Sequence, residues 1–135
     1  MQRRQGFTLL ELLIVVVILG VLALIAAPSL LNAADQAKDA TVKANISAAA
    51  SSVTSRLALN TTDTASETAT AVADELNADN KNPIDVDNAA FATSGTAAGS
   101  VVLTADDATD SIVITGYDKD GSNLLTKTVK APASN

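Results

Sequence analysis

The sequence predicts an α+β fold, with one long N-terminal helix over about residues 7–58 packed on a small C-terminal antiparallel sheet of about three strands. Three observations predict it. The run from Phe7 to Ala27 is apolar except at Thr8, Glu11 and Gly20. Beyond Pro28, apolar residues keep returning every third or fourth place, as one face of a helix requires. After Val101 the apolar period drops to two, the period of a strand.

Residues 1–6, MQRRQG, form a polar, basic leader, and 7–27 form the hydrophobic segment. A 21-residue helix rises about 30 Å, the thickness of a bilayer's hydrocarbon core. Residues 28–135 make up a separate headpiece. Its first part, 29–58, is an amphipathic helix with Leu31, Ala34, Val42, Ile46, Ala49, Val53 and Leu57 on one face. Pro28 is expected to kink or loosen the helix, and Asn60 to end it. The connection 60–99 is rich in Ala, Thr, Asp and Ser, and holds one helical patch, Ser66 to Asn77, capped by Ser66 or Thr64. The sheet region, 100–131, contains Val101–Thr104, Ile112–Thr115 and Leu124–Val129 as strands. Asp106-Asp107 and Asp118-Lys119-Asp120-Gly121 supply the turns, which are short enough to require antiparallel pairing.

Composition narrows the functions available. The chain of 135 residues has no Cys and no His. Disulfides, zinc sites of thiolate–imidazole type, and thiol or imidazole catalysis are therefore excluded. Nine cations stand against fifteen acids, and two of the cations, Arg3 and Arg4, precede the apolar run. The remaining acidic body does not attract nucleic acid through its average field. Arg3 and Arg4 set topology instead, keeping the N-terminus cytoplasmic and sending everything after Ala27 outward.

Glu11 is the residue a plain anchor would not carry. A carboxylate in the centre of a membrane helix costs about 2.5–3.5 kcal/mol on insertion scales. Such an acid calls for a cationic partner within the membrane.

Residues 6–28, GFTLLELLIVVVILGVLALIAAP, resemble the N-terminal signature of bacterial type IV pilins and the related pseudopilins, with a short class III leader of the type IVa kind. The resemblance implies cleavage between Gly6 and Phe7 by a prepilin peptidase, N-methylation of Phe7, and a helical homopolymer. Glu11 becomes the fifth mature residue and Thr8 the second. Cleavage would leave a cationic amine on Phe7, and pairing it with Glu11 of a neighbouring subunit removes two desolvation penalties at one axial offset only. The pair then sets register, as a buried polar residue does in a coiled coil; Thr8 is a second candidate to hold the amine. In the same resemblance Gly20 and Pro28 bracket a stretch of helix that loosens on assembly. Both weaken a helix, Pro28 by its missing N–H and Gly20 by its propensity. A Pro at the membrane exit and a Gly allowing close helix packing is the plainer account of the two.

Other readings fit less of the segment. A cleaved secretory signal has a shorter apolar core and no acid in it. A simple bitopic anchor carrying an exported binding domain explains length and orientation, but not Gly6-Phe7 together with Glu11. Asp118 and Asp120 form a weak candidate calcium turn, since the twelfth position of an EF-hand loop, here Val129, is not Glu. Asn45-Ile46-Ser47 and Asn60-Thr61-Thr62 match the N-glycosylation pattern, and residues 60–70 are the better place for O-linked sugar. The expectation is thus a structural filament subunit with no enzymatic activity and no cofactor. It would be a membrane precursor with its N-terminus inside, then part of an extracellular pilus. A pseudopilin of a type II secretion system is the alternative. The partners implied by the resemblance are the peptidase, an assembly platform and an ATPase, with no direct nucleic-acid binding.

Overall fold

A computed structural model describes residues 6–59 and 62–132. Arg3 and Arg4, the expected helix stop at Asn60, and the Asn60-Thr61 part of the second glycosylation pattern lie outside the described residues. The elements are α1 (Leu9–Leu59), α2 (Ala65–Asp79), β1 (Phe91–Ala92), β2 (Val101–Asp106), β3 (Ser111–Tyr117) and β4 (Asn123–Lys130). The chain divides into two compact units, residues 1–35 and 36–135.

In the first unit the described residues are helix from Leu9 onward, and its membrane-length apolar window is entirely unburied. Leu9 to Ile25 carry large apolar side chains on every side, each about half or more exposed. A helix that is apolar all round has no single buried face and belongs in lipid or in a bundle. Leu31 and Ala34, expected on the inward stripe, are exposed here; Leu31 is 68% accessible.

In the second unit the buried stripe of α1 is Val42, Asn45, Ile46, Ala49, Val53 and Leu57. The spacing is the three-and-four alternation read from the sequence. Asn45 of the first glycosylation pattern is in that stripe, only 7% exposed. Helix α2 starts at Thr64, whose hydroxyl accepts from the Glu67 N–H while the Glu67 carboxylate accepts from the Thr64 N–H. This capping box satisfies two of the donors that a helix start leaves open. Ala65, Thr68, Ala69, Val72 and Ala73 face inward. One ion pair ties the helices together, Arg56 to Glu75 at 2.7 Å.

The sheet has four strands in the order β1-β2-β3-β4. The three expected strands are present, and β2–β3 and β3–β4 pair antiparallel, with Leu103 opposite Ile114 and Thr115 opposite Thr126. The fourth corrects the expectation of a three-stranded, wholly antiparallel sheet: β1 lies within the span read as connection and pairs parallel to β2. Two residues are too few for a period to show. What holds β1 is a side chain, for Asn77 of α2 donates to the Phe91 carbonyl at 2.8 Å and accepts from the Phe91 N–H at 2.9 Å. The carboxamide thus occupies the place of a further strand.

The loop between α2 and β2 is organised by Asn82, which is 1% exposed. Its Oδ1 accepts from the N–H groups of Ile84 and Asp85, and its Nδ2 donates to the carbonyl of Ala98 at 2.9 Å. Gly99 follows at φ +75°, and a methyl group there would collide with Asn82 Oδ1. On the helix-facing side of β3, Gly116 leaves room for α1. A Cβ at this position would lie 2.5 Å from Ile46 Cδ1 and 2.8 Å from Val42 Cγ1. The resulting core is aliphatic, with Phe91 as its one aromatic ring among the described residues.

Candidate functional site: the head of the apolar helix

Gly6 and Phe7 precede α1, and both are exposed; Phe7 is 85% accessible. The next residues form a second capping box. The Thr8 N–H donates to Glu11 Oε2 at 2.9 Å, the Thr8 hydroxyl donates to the same oxygen at 2.8 Å, and the Glu11 N–H points back to Thr8 Oγ1 at 3.3 Å. Thr8 is the N-cap and Glu11 the third helical residue, the spacing at which the two can exchange bonds. A negative group here also faces the positive end of the helix dipole. Three donors that water would otherwise have to satisfy are dealt with inside one turn. That lowers the penalty of holding the turn in a low-dielectric medium.

The sequence singled out both residues but not their exchange. The signal was available, since Thr-x-x-Glu ahead of an apolar run is a helix-start pattern. Both bonds from Thr8 end on Oε2, and among the described residues no bond to Oε1 is formed. The carboxylate therefore keeps acceptor capacity for a second donor.

Gly20 and Pro28 both lie inside α1, and the helix runs through them. Pro28 has no N–H, so the carbonyl of Leu24 lacks its intrahelical donor. Gly20 has nothing within 4 Å of where a Cβ would be.

At the candidate calcium turn, Asp118 Oδ1 accepts from the Asp120 N–H at 2.9 Å and the Ser122 N–H at 2.8 Å. Lys119 pairs with the Asp120 carboxylate at 3.1 Å. The two acids thus brace a hairpin loop. No group of three or more metal-ligating side chains occurs among the described residues. Asp107, which the sequence places in a turn, has a second structural task. Its two carboxylate oxygens accept from the N–H and the hydroxyl of Ser66, each at 2.8 Å, pinning the β2–β3 loop to the start of α2.

Comparison with known proteins finds a match at the helix head. The family model "Prokaryotic N-terminal methylation motif" matches residues 1–27. Two curated proteins are similar to this chain beyond the motif. Type II secretion system core protein G of Pseudomonas aeruginosa is 49% identical over 55 residues, 39% of each chain. Type IV narrow pilus major component PilA5 of Thermus thermophilus is 46% identical over 59 residues, 44% of this chain and 47% of that one. The chain thus spans less than half the length of the relatives it matches. No solved structure matches it. A long N-terminal helix followed by a small sheet is the pilin-like α+β arrangement.

Proposed function

We propose that this protein is the structural subunit of a helical type IV pilus filament. Residues 1–6 are removed after Gly6, Phe7 becomes the methylated N-terminus, and 7–27 hold the precursor in the membrane with its N-terminus inside. Residues 28–135 are the exported headpiece. A peptidase, an assembly platform and an ATPase are the partners that processing and extraction require.

The observation that carries the reading is the unburied apolar helix headed by the Thr8–Glu11 exchange. Large apolar side chains on every side of that helix gain about 1.5–3 kcal/mol each when removed from water. In lipid they need no partner; out of lipid only other copies of the helix supply one. Glu11, with Oε1 available, receives the Phe7 amine of the adjoining copy and fixes the offset between them. An assembly of identical subunits joined through two different surfaces grows as a fibre when the contact does not close on itself.

Similarity to protein G of the type II secretion system favours a second reading of the same chemistry, a pseudopilin that builds a fibre confined to the cell envelope. Electron microscopy of cells and of sheared surface material, with the subunit identified in the dominant band, separates the two. Long surface filaments support the pilus. A subunit found only in the envelope supports the pseudopilin. In either case Glu11→Ala is expected to insert into the membrane at the parent level and to form no regular fibre; normal fibres from that variant would remove Glu11 from the account.

A further inference from the structure

The charges of the headpiece are sorted by element. On α1, Asp35 precedes Lys38 and Asp39 precedes Lys43, at the three- and four-residue spacings that neutralise charge within a helix. Helix α2 has no such balance. It carries Glu67, Asp74, Glu75 and Asp79 and no Lys or Arg. Arg56 of α1 neutralises Glu75. Asp74 is exposed with no cation three or four places away, and Asp79 sits at the negative end of the helix dipole.

The reverse holds on the other side of α1. Lys127 of β4 is exposed, and its ammonium meets a hydroxyl, Ser47 Oγ at 3.2 Å, rather than a carboxylate. It closes one side of a shallow groove whose other wall is Ser47, Ser51, Thr54 and Ser55 of α1. The exposed face of α2 around Asp74 is equally low in relief, with Ser66, Glu67, Thr70 and Ala71 beside it.

We infer that the Asp74 face of α2 docks into the α1–β4 groove at Lys127 of a second copy of this chain. Charge complementarity selects the occupant, because each surface lacks the charge the other offers and neither Asp74 nor Lys127 forms an ion pair among the described residues. The sheet order puts them apart: α2 packs over β1 and β2, while Lys127 lies on β4 beyond α1. One subunit cannot bring its own two surfaces together. A patch that matches a different patch on an identical copy can repeat from subunit to subunit, which is the kind of contact a fibre requires. The inference rests on the filament reading and adds the headpiece contact to it.

The chain has no cysteine, so introduced pairs report without background from the subunit itself. Asp74→Cys and Lys127→Cys are placed together in the full chain, and sheared filaments are oxidised mildly and run without reductant. A ladder of covalent multimers is expected, several-fold stronger than with Asp74→Cys paired to Thr104→Cys, an exposed position of β2. Charge reversal gives the second arm. Asp74→Lys should lower filament yield several-fold, and adding Lys127→Glu should restore most of it, with subunit levels unchanged throughout. Filaments that form normally but cross-link only at the control level, or that tolerate Asp74→Lys, overturn the docking and leave the filament reading standing. Absence of filaments from the unmodified chain overturns both.

Discussion

Thr8 and Glu11 exchange hydrogen bonds across the first turn of α1, in the same pattern by which Thr64 and Glu67 open α2. One device thus opens two different helices. At α2 it caps a helix of mixed composition. At α1 it caps a helix long and apolar enough to cross a membrane, and in lipid unmet donors are most costly. The acid that looks misplaced in an apolar run is a helix-start residue, with one oxygen to spare among the described residues.

Thr8→Ala should therefore loosen the helix head. Losing an N-cap side chain costs about 1 kcal/mol, or about a fivefold rise in local opening. Hydrogen exchange at Leu10 and Glu11 in micelles would rise by that order, and Thr8→Ser should restore protection. Unchanged exchange in Thr8→Ala would mean that the bonds contribute nothing to holding the turn.

Gly116 predicts a packing defect. Ile46 and Val42 stand where its Cβ would go, so Gly116→Ala must push α1 off β3 or force both side chains from their rotamers. Overpacking of this kind costs about 1–3 kcal/mol. The midpoint of headpiece unfolding, followed by circular dichroism in detergent, should fall by several degrees. Ile46→Val in the same chain should recover part of the loss, since it removes the nearest methyl.

Much of this architecture was legible in the sequence. The stripe from Val42 to Leu57, the start of α2 near Thr64, and three strands with their Asp-rich turns all follow from periodicity and turn chemistry. Strand β1 was not, because Phe91 and Ala92 have no alternation and are held by the Asn77 carboxamide, a contact across 14 positions. Leu31 and Ala34 continue the helical spacing but precede the first buried residue of the stripe, Val42, and period alone does not say where cover begins. At the helix head the residues were legible, while their exchange was obscured by reading Glu11 only as a charge awaiting a partner.

Asp106 gives the headpiece a pH dependence. Its carboxyl is held below the usual carboxylate range, first by Thr109, then by the Ala108 N–H, with the Lys130 charge as a lesser contribution. A folded-state value below the unfolded one adds stability that is present above the unfolded value and fades as pH falls through the folded one. Asp106→Asn should thus be less stable than the parent near neutrality, and the difference in unfolding midpoint should close in acid. A gap that persists unchanged to the lowest pH would assign the effect to shape rather than charge.

The most direct test of the central claim is the intact mass and N-terminal sequence of the subunit recovered from sheared filaments. The account predicts a chain that begins at Phe7, lacks residues 1–6 and carries one added methyl group. A fibre subunit that kept Met1, or began at any other residue, would contradict it, since no amine would then stand where Glu11 of the adjoining copy can receive it.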